Sequence, residues 1–142
     1  MQSQELETKT QQYVRKHPFL KALIMSELED DVEIYKWIAS DLEFKQETTD
    51  NFLNGLRGGM NELYSDFKGQ FNKLGECAHF QVSVMYDQYF VRKQQIGKNI
   101  LLIVICETEG LDIGALDNVC NDYKSNFQRV DRFIEDFNKQ GQ

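Results

Sequence analysis

Proline is nearly missing from this chain, with Pro18 the single one among 142 residues. Long apolar runs are missing too: the longest, Ile100 to Cys106, is about 7 residues, whereas a helix that spans a bilayer needs roughly 20. The three cysteines, Cys77, Cys106 and Cys120, include no CxxC pair. An odd count without metal spacing, with Cys106 and Cys120 at apolar positions of periodic segments, reads as buried reduced thiols rather than a disulfide framework or a zinc site. Positive charge is in short supply, since 16 Lys and Arg face 23 Asp and Glu for a net charge of -7. That balance argues against a nucleic-acid partner, because binding phosphates takes clustered cations, and it disfavours direct adhesion to an anionic membrane. The polar opening MQSQELETKTQQ lacks the basic-then-apolar order of a signal peptide, and Gln2 stands where N-myristoylation needs glycine. The expectation is a chain that reaches a membrane only through something else.

What the sequence does contain is periodicity. At this length one domain, residues 1–142, buries enough surface to fold without staples. Leu6, Thr10, Tyr13 and Val14 mark one face of a short helix that ends before Pro18, because proline disfavours helical geometry in the residue preceding it. Phe19 to Ser26 reads as a strand, Glu27 to Asp31 as a turn, and Val32 to Ala39 as the second arm of a hairpin. After the cap candidates Thr48, Thr49 and Asp50, a stripe runs through Phe52, Leu56, Met60, Leu63, Phe67, Phe71 and Leu74 as the clearest helix, with Gly75 as its stop. Phe80 to Tyr86, Tyr89 to Gln95 and Asn99 to Cys106 then predict a three-stranded meander, with turns at Asp87-Gln88 and over 96–99. Asp112 is the N-cap candidate for a final helix whose stripe runs from Ile113 through Leu116, Val119, Cys120, Tyr123, Phe127 and Val130 to Phe137. The order αββαβββα predicts an α+β layer structure with the apolar run as a buried central strand.

Chemistry is sparse. His17 and His79 stand at a helix end and a strand start, and neither has partners at the spacings of metal or acyl-transfer sites. The glycine cluster from Gly55 to Gly59 lies inside a helical pattern, not between a strand and a helix start where it would cradle phosphate. The acidic clusters Glu27 to Asp31 and Glu107 to Asp112 lack the alternating ligands of a calcium loop and read as solvated turns. No catalytic residue, metal or cofactor is expected. Gly55 and Gly59 nonetheless flank the apolar stripe, at a cost of about 1 kcal/mol each relative to alanine. Close approach by a second helix would offset that cost, and a local kink at Gly58-Gly59 is the other reading. The strand Phe80 to Tyr86 opens the meander and so can leave a free sheet edge, which calls for a cover or a partner strand.

The residues also carry a resemblance. Tyr13-Val-Arg-Lys-His-Pro-Phe-Leu-Lys-Ala-Leu-Ile-Met-Ser26, Val82-Ser-Val-Met-Tyr-Asp-Gln-Tyr-Phe-Val91, Asn99 to Ile105, Glu107-Thr108 and the helix from Ile113 resemble the roadblock family of dynein-associated and GTPase-associated proteins. Within it, the chain is most similar to the MEK-partner scaffold branch found in Ragulator, the late endosomal and lysosomal adaptor complex. The resemblance covers residues from about Glu5 to Phe137 and rests on pattern and short similarities.

It implies a roadblock-like (profilin-like) fold, a five-stranded antiparallel sheet with the central helix on one face and the terminal helices on the other. Family members pair through the central helix and the third strand, which implies a dimer interface over Gly55, Leu56, Gly59, Met60, Leu63, Phe80, Gln81, Val82, Ser83, Val84, Met85 and Tyr86. The implied partner is a second roadblock-type subunit, in a heterodimer or a homodimer. The implied setting is a Ragulator-like complex, tethered to lysosomes by a lipidated subunit, that binds Rag GTPases and positions MAP kinase and TOR signalling. Two rivals stand beside it: a roadblock-type light chain on dynein intermediate chains, and a profilin-like or PAS-like enzyme or sensor. The final helix favours the scaffold over the shorter light chains. The stripes filled with Phe, Leu and Ile leave few convergent polar groups for a ligand pocket.

Overall fold

The computed structural model describes residues 3–27, 32–42 and 81–140, with side chains of the final helix as far as Phe127. The elements are α1 (Ser3–Lys16), β1 (Leu20–Glu27), β2 (Glu33–Ile38), β3 (Gln81–Met85), β4 (Tyr89–Gly97), β5 (Ile100–Glu107) and α2 (Ile113–Gln140). The strands form one antiparallel sheet in the order β2-β1-β5-β4-β3. The central helix predicted over 52–74 lies outside the described residues.

β5 is the middle strand, which explains why its sequence is apolar at every position from Leu101 to Cys106: both faces are buried. Leu102, Val104 and Cys106 join Leu23, Met25, Phe90 and Ile96 beneath Leu6 of α1 and Leu116, Val119, Cys120, Tyr123 and Phe127 of α2. Ile103 and Ile105 point the other way and form a second cluster with Ala22, Ile24 and Val91. Among the described residues both helices therefore pack on one face of the sheet.

α1 places its predicted stripe as expected, with Leu6 and Thr10 buried and Tyr13 and Val14 half-buried against the core. Its last turn closes where His17 N donates to Tyr13 O at 2.7 Å, one residue before Pro18. Asp112 is the N-cap of α2: Ala115 N donates to its Oδ1 at 3.1 Å and Leu116 N to its main-chain oxygen at 3.0 Å. Ile113, assigned to the buried stripe, is 42% exposed, and the packed part begins one turn later at Leu116. The two helices are joined by a buried hydrogen bond between Thr10 Oγ1 and Tyr123 Oη at 2.7 Å and by an edge-on contact of Tyr13 with Tyr123, centroids 5.4 Å apart.

The end of β4 differs from the sequence reading. The turn expected over 96–99 is shorter, since β4 runs on to Gly97 and reverses at Lys98-Asn99. A bulge between Gln95 and Gly97 keeps Ile96 on the buried face, so its apolar side chain continues the strand. In β2 the alternation places Tyr35 and Trp37 against the helix-side cluster and Ile38 against the other, while Val32 and Ile34 stay exposed.

Candidate functional site

β3 is the end strand of the sheet, hydrogen-bonded to β4 on one side and, among the described residues, to no strand on the other. Its pairing with β4 is regular from Gln81 opposite Gln94 to Met85 opposite Phe90. Tyr86 N donates to Tyr89 O at 2.7 Å, which fixes the alternation of the ladder: Tyr86, Val84 and Val82 turn their main-chain groups toward β4. Ser83 and Met85 therefore direct N–H and C=O outward from the edge. The side chains alternate as well, with Ser83 and Met85 on the helix side and Val82, Val84 and Tyr86 on the opposite face.

Three consecutive apolar residues at this edge are open to solvent: Val84 at 38%, Met85 at 63% and Tyr86 at 48%. Sheet edges are ordinarily protected by charges, proline or bulges. β3 has no such guard, because Gln-Val-Ser-Val-Met contains no charge and no proline and its ladder has no bulge. The opposite edge, β2, has exposed Val32 and Ile34 too, but it carries Glu33 and Lys36 and a register shift opposite Met25 and Ser26. Among the described residues, β3 is thus the edge strand without charge, proline or bulge.

A buried arginine fixes the open edge in place. Arg92 on β4 is 4% exposed; its Nε donates to Ser83 Oγ at 3.4 Å, its Nη1 pairs with Asp117 of α2, and its guanidinium lies 5.8 Å from the Phe90 ring. One charged side chain thus ties β3, β4 and α2 together. Sequence reading did not single out Arg92, although the signal was there: it occupies the same face as Phe90 and Ile96, a charge at a position where the alternation calls for burial.

Of the residues implied at a dimer interface, the structure places Gln81, Val82, Ser83, Val84 and Met85 on the edge strand and Tyr86 just beyond it. Gly55, Leu56, Gly59, Met60, Leu63 and Phe80 lie outside the described residues. Elsewhere the chemistry is quiet. Burial pushes the Cys106 thiol up to about 12 and the Cys120 thiol to about 11, so both stay protonated and unreactive at neutral pH. A groove of about 710 Å³ runs between the end of α1 and the start of α2, lined by Tyr13, Lys16, His17, Asp112 and Asp122 among others. Asp122 is already held by Lys9 at 3.3 Å. Among the described residues no three His, Cys, Asp or Glu gather to hold a metal, and no helix is long and apolar enough to cross a membrane.

The sequence matches no protein-family profile and no curated protein. Solved structures do match. The gliding protein MglB from Thermus thermophilus superposes with a TM-score of 0.70 at 10% identity, covering 92% of this chain and 90% of MglB. MglB has also been solved in a tetrameric arrangement, with the same score and coverage. A roadblock/LC7 domain from Streptomyces avermitilis gives 0.64 at 16% identity over 84% of this chain and 92% of its own, and MglC from Myxococcus xanthus gives 0.56 at 12% over 87% and 97%. With the five-stranded antiparallel sheet, its order and its two terminal helices, these likenesses establish that the chain has the roadblock/LC7 fold.

Proposed function

We propose that this chain is a non-catalytic scaffold subunit that assembles through the β3 edge with a roadblock-type partner. In this reading it works within a Ragulator-like complex that binds Rag GTPases and positions MAP kinase and TOR signalling at late endosomes and lysosomes. The observation that carries the proposal is the edge itself: an uncharged strand end with outward main-chain groups at Ser83 and Met85 and exposed Val84, Met85 and Tyr86. Adding a strand there supplies main-chain hydrogen bonds and buries all three side chains, the standard physics of sheet extension. The interface would run on over Gly55, Leu56, Gly59, Met60, Leu63 and Phe80, where the helix glycines would allow close approach. Positioning is the mechanism, because a rigid sheet that holds partners side by side raises their effective concentration without chemistry of its own. A lipidated partner would provide the membrane attachment.

The test is affinity purification of the tagged chain from its own cells, with Val84→Arg alongside. Recovery of a second roadblock-type subunit together with Rag GTPases, lost in Val84→Arg, is the expected result. Recovery of dynein intermediate chains instead would transfer the protein to motor assembly, and capture unaffected by Val84→Arg would remove β3 from the interface.

A further inference from the structure

Ser40 stands exposed in the turn that follows β2, at the far edge of the sheet from β3. Leu42 N closes that turn by donating to Ala39 O at 3.2 Å, and the buried Leu42 side chain pins its end. The next residue after the serine is Asp41, and Glu43 lies three positions on in the sequence. A serine with carboxylates at those two places downstream is the charge pattern that acidophilic serine kinases select, and an exposed turn is where a kinase can reach it. Other hydroxyls fit less well. Ser26 is buried, Thr8, Thr10, Ser83 and Thr108 are held in hydrogen bonds, and Ser125 is followed by the uncharged Asn126, Phe127 and Gln128.

A cation is already in place beside the turn. The Lys21 side chain is 11% exposed, and its Nζ donates to Asp41 Oδ2 at 2.8 Å and lies 3.6 Å from Glu107 Oε1. Ala39 N donates to Lys21 O at 2.8 Å, so residue 40 begins one position from the Lys21 backbone. Both carboxylates are free to turn into water, because their side chains are 65% and 46% exposed. The ammonium, by contrast, has little access to solvent. It therefore favours the anion near the turn that carries most charge, and a phosphate at about −1.5 to −2 outcompetes a carboxylate.

We propose that Ser40 is a phosphorylation site for an acidophilic serine kinase, and that Lys21 exchanges Asp41 for the new phosphate. Ser40 Oγ attacks the γ-phosphorus of ATP held by the kinase and the bond from that phosphorus to the β,γ-bridging oxygen breaks. ADP leaves, and the hydroxyl proton passes to the kinase's catalytic base. Phosphorylation thus rewires an ion pair where β1 begins and β2 ends, while the β3 edge at the other side of the sheet keeps its contacts.

The test incubates the folded full chain with a purified acidophilic serine kinase and ATP, maps the product by mass spectrometry and follows its phosphorus-31 resonance with pH. The site predicts phosphate on Ser40 and incorporation at least about tenfold slower in Ser40→Ala. The lysine exchange predicts a titration midpoint at least about half a unit below that of the same phosphoprotein unfolded in urea, because a neighbouring ammonium favours the dianion. Lys21→Gln, checked for folding by circular dichroism, should abolish that difference. Phosphate on other residues, or on none, overturns the site. Phosphate on Ser40 with the same midpoint in the folded and unfolded chain overturns the exchange and leaves the site standing, as does a low midpoint that survives Lys21→Gln.

Discussion

Arg92 and Asp117 form an ion pair whose two halves should not be equally replaceable. The guanidinium is buried, its side chain 5% exposed, whereas the Asp117 side chain is 51% exposed. Removing one member of a fully buried pair costs about 3–5 kcal/mol because the other is left as an uncompensated charge. Here that penalty applies in one direction only. Asp117→Ala strands a desolvated guanidinium, which keeps Ser83 and the Phe90 ring as neighbours, and with half of the carboxylate already in water the full figure shrinks to about 2 kcal/mol. Arg92→Met removes the buried charge altogether, fills the space with a flexible apolar chain and leaves Asp117 free to hydrate. What it loses besides the ion pair is the ring contact, a long bond to Ser83 and an interaction with the Cys120 thiol, for about 1 kcal/mol. Guanidinium chloride unfolding of the two single variants and the double variant measures these costs, and Asp117→Ala combined with Arg92→Met should cost less than the sum of its parts. Arg92→Met proving the more damaging variant by 1 kcal/mol or more would refute the reasoning, because the burial cost of the charge would then not be governing the pair. The same variant should speed amide exchange at Val82 and Val84, whose main-chain groups face β4, since it unties the edge from α2.

Thr10→Val should destabilise by about 1–3 kcal/mol, because it leaves the buried Tyr123 hydroxyl without its 2.7 Å partner; adding Tyr123→Phe should recover part of that loss, and a double-mutant cycle with no coupling would dismiss the bond. Gly110, at φ 78, has open space around its α-carbon, so Gly110→Ala should cost only the left-handed backbone strain, about 1–2 kcal/mol by thermal melting, and an unchanged melting temperature would contradict that conformation. Burial raises Cys106 to about 12 and Cys120 to about 11 from an ordinary 9.0, so the folded state holds these protons longer than the unfolded one. Stability should be fully present below about pH 9 and fall as pH climbs toward 11–12, to be followed by melts in reductant on Cys77→Ser; thiolate absorbance growing in at pH 9 while the chain stays folded would contradict the burial of these thiols.

The sheet was legible in the sequence because burial writes a period of two on each strand. Ile100 to Cys106 announced the middle strand by having no polar face, and Asp112 announced the start of α2 by supplying an oxygen where main-chain N–H groups lack partners. The end of β4 was less legible: Gly97 and Asn99 read as turn residues, and only pairing with β5 shows that a bulge carries the strand through Ile96. Arg92 escaped for a different reason. Its partners come from positions 83 and 117, far apart in sequence, so nothing local marks a charge that tertiary structure compensates. The edge residues Gln81 to Tyr86 were singled out by resemblance and by their place at the head of a meander, but their exposure follows from strand order, which no local pattern encodes.

The two edges of this sheet bear on function because they face the same hazard and answer it differently. An exposed, unpaired strand invites pairing with whatever strand it meets, and β2 counters with Glu33, Lys36 and a shifted register. Among the described residues β3 shows no such counter, yet the buried Arg92 links it to β4 and, through Asp117, to α2. A strand that was merely tolerated at the edge would gain from a lysine and have no need of such an anchor. Rigidity combined with an unguarded edge is the arrangement that lowers the ordering cost when a second strand arrives. The absence of charge from Gln81 to Tyr86 removes the like-charge repulsion that would oppose a strand laid along this edge, and a cation introduced there, as in Val84→Arg, restores it.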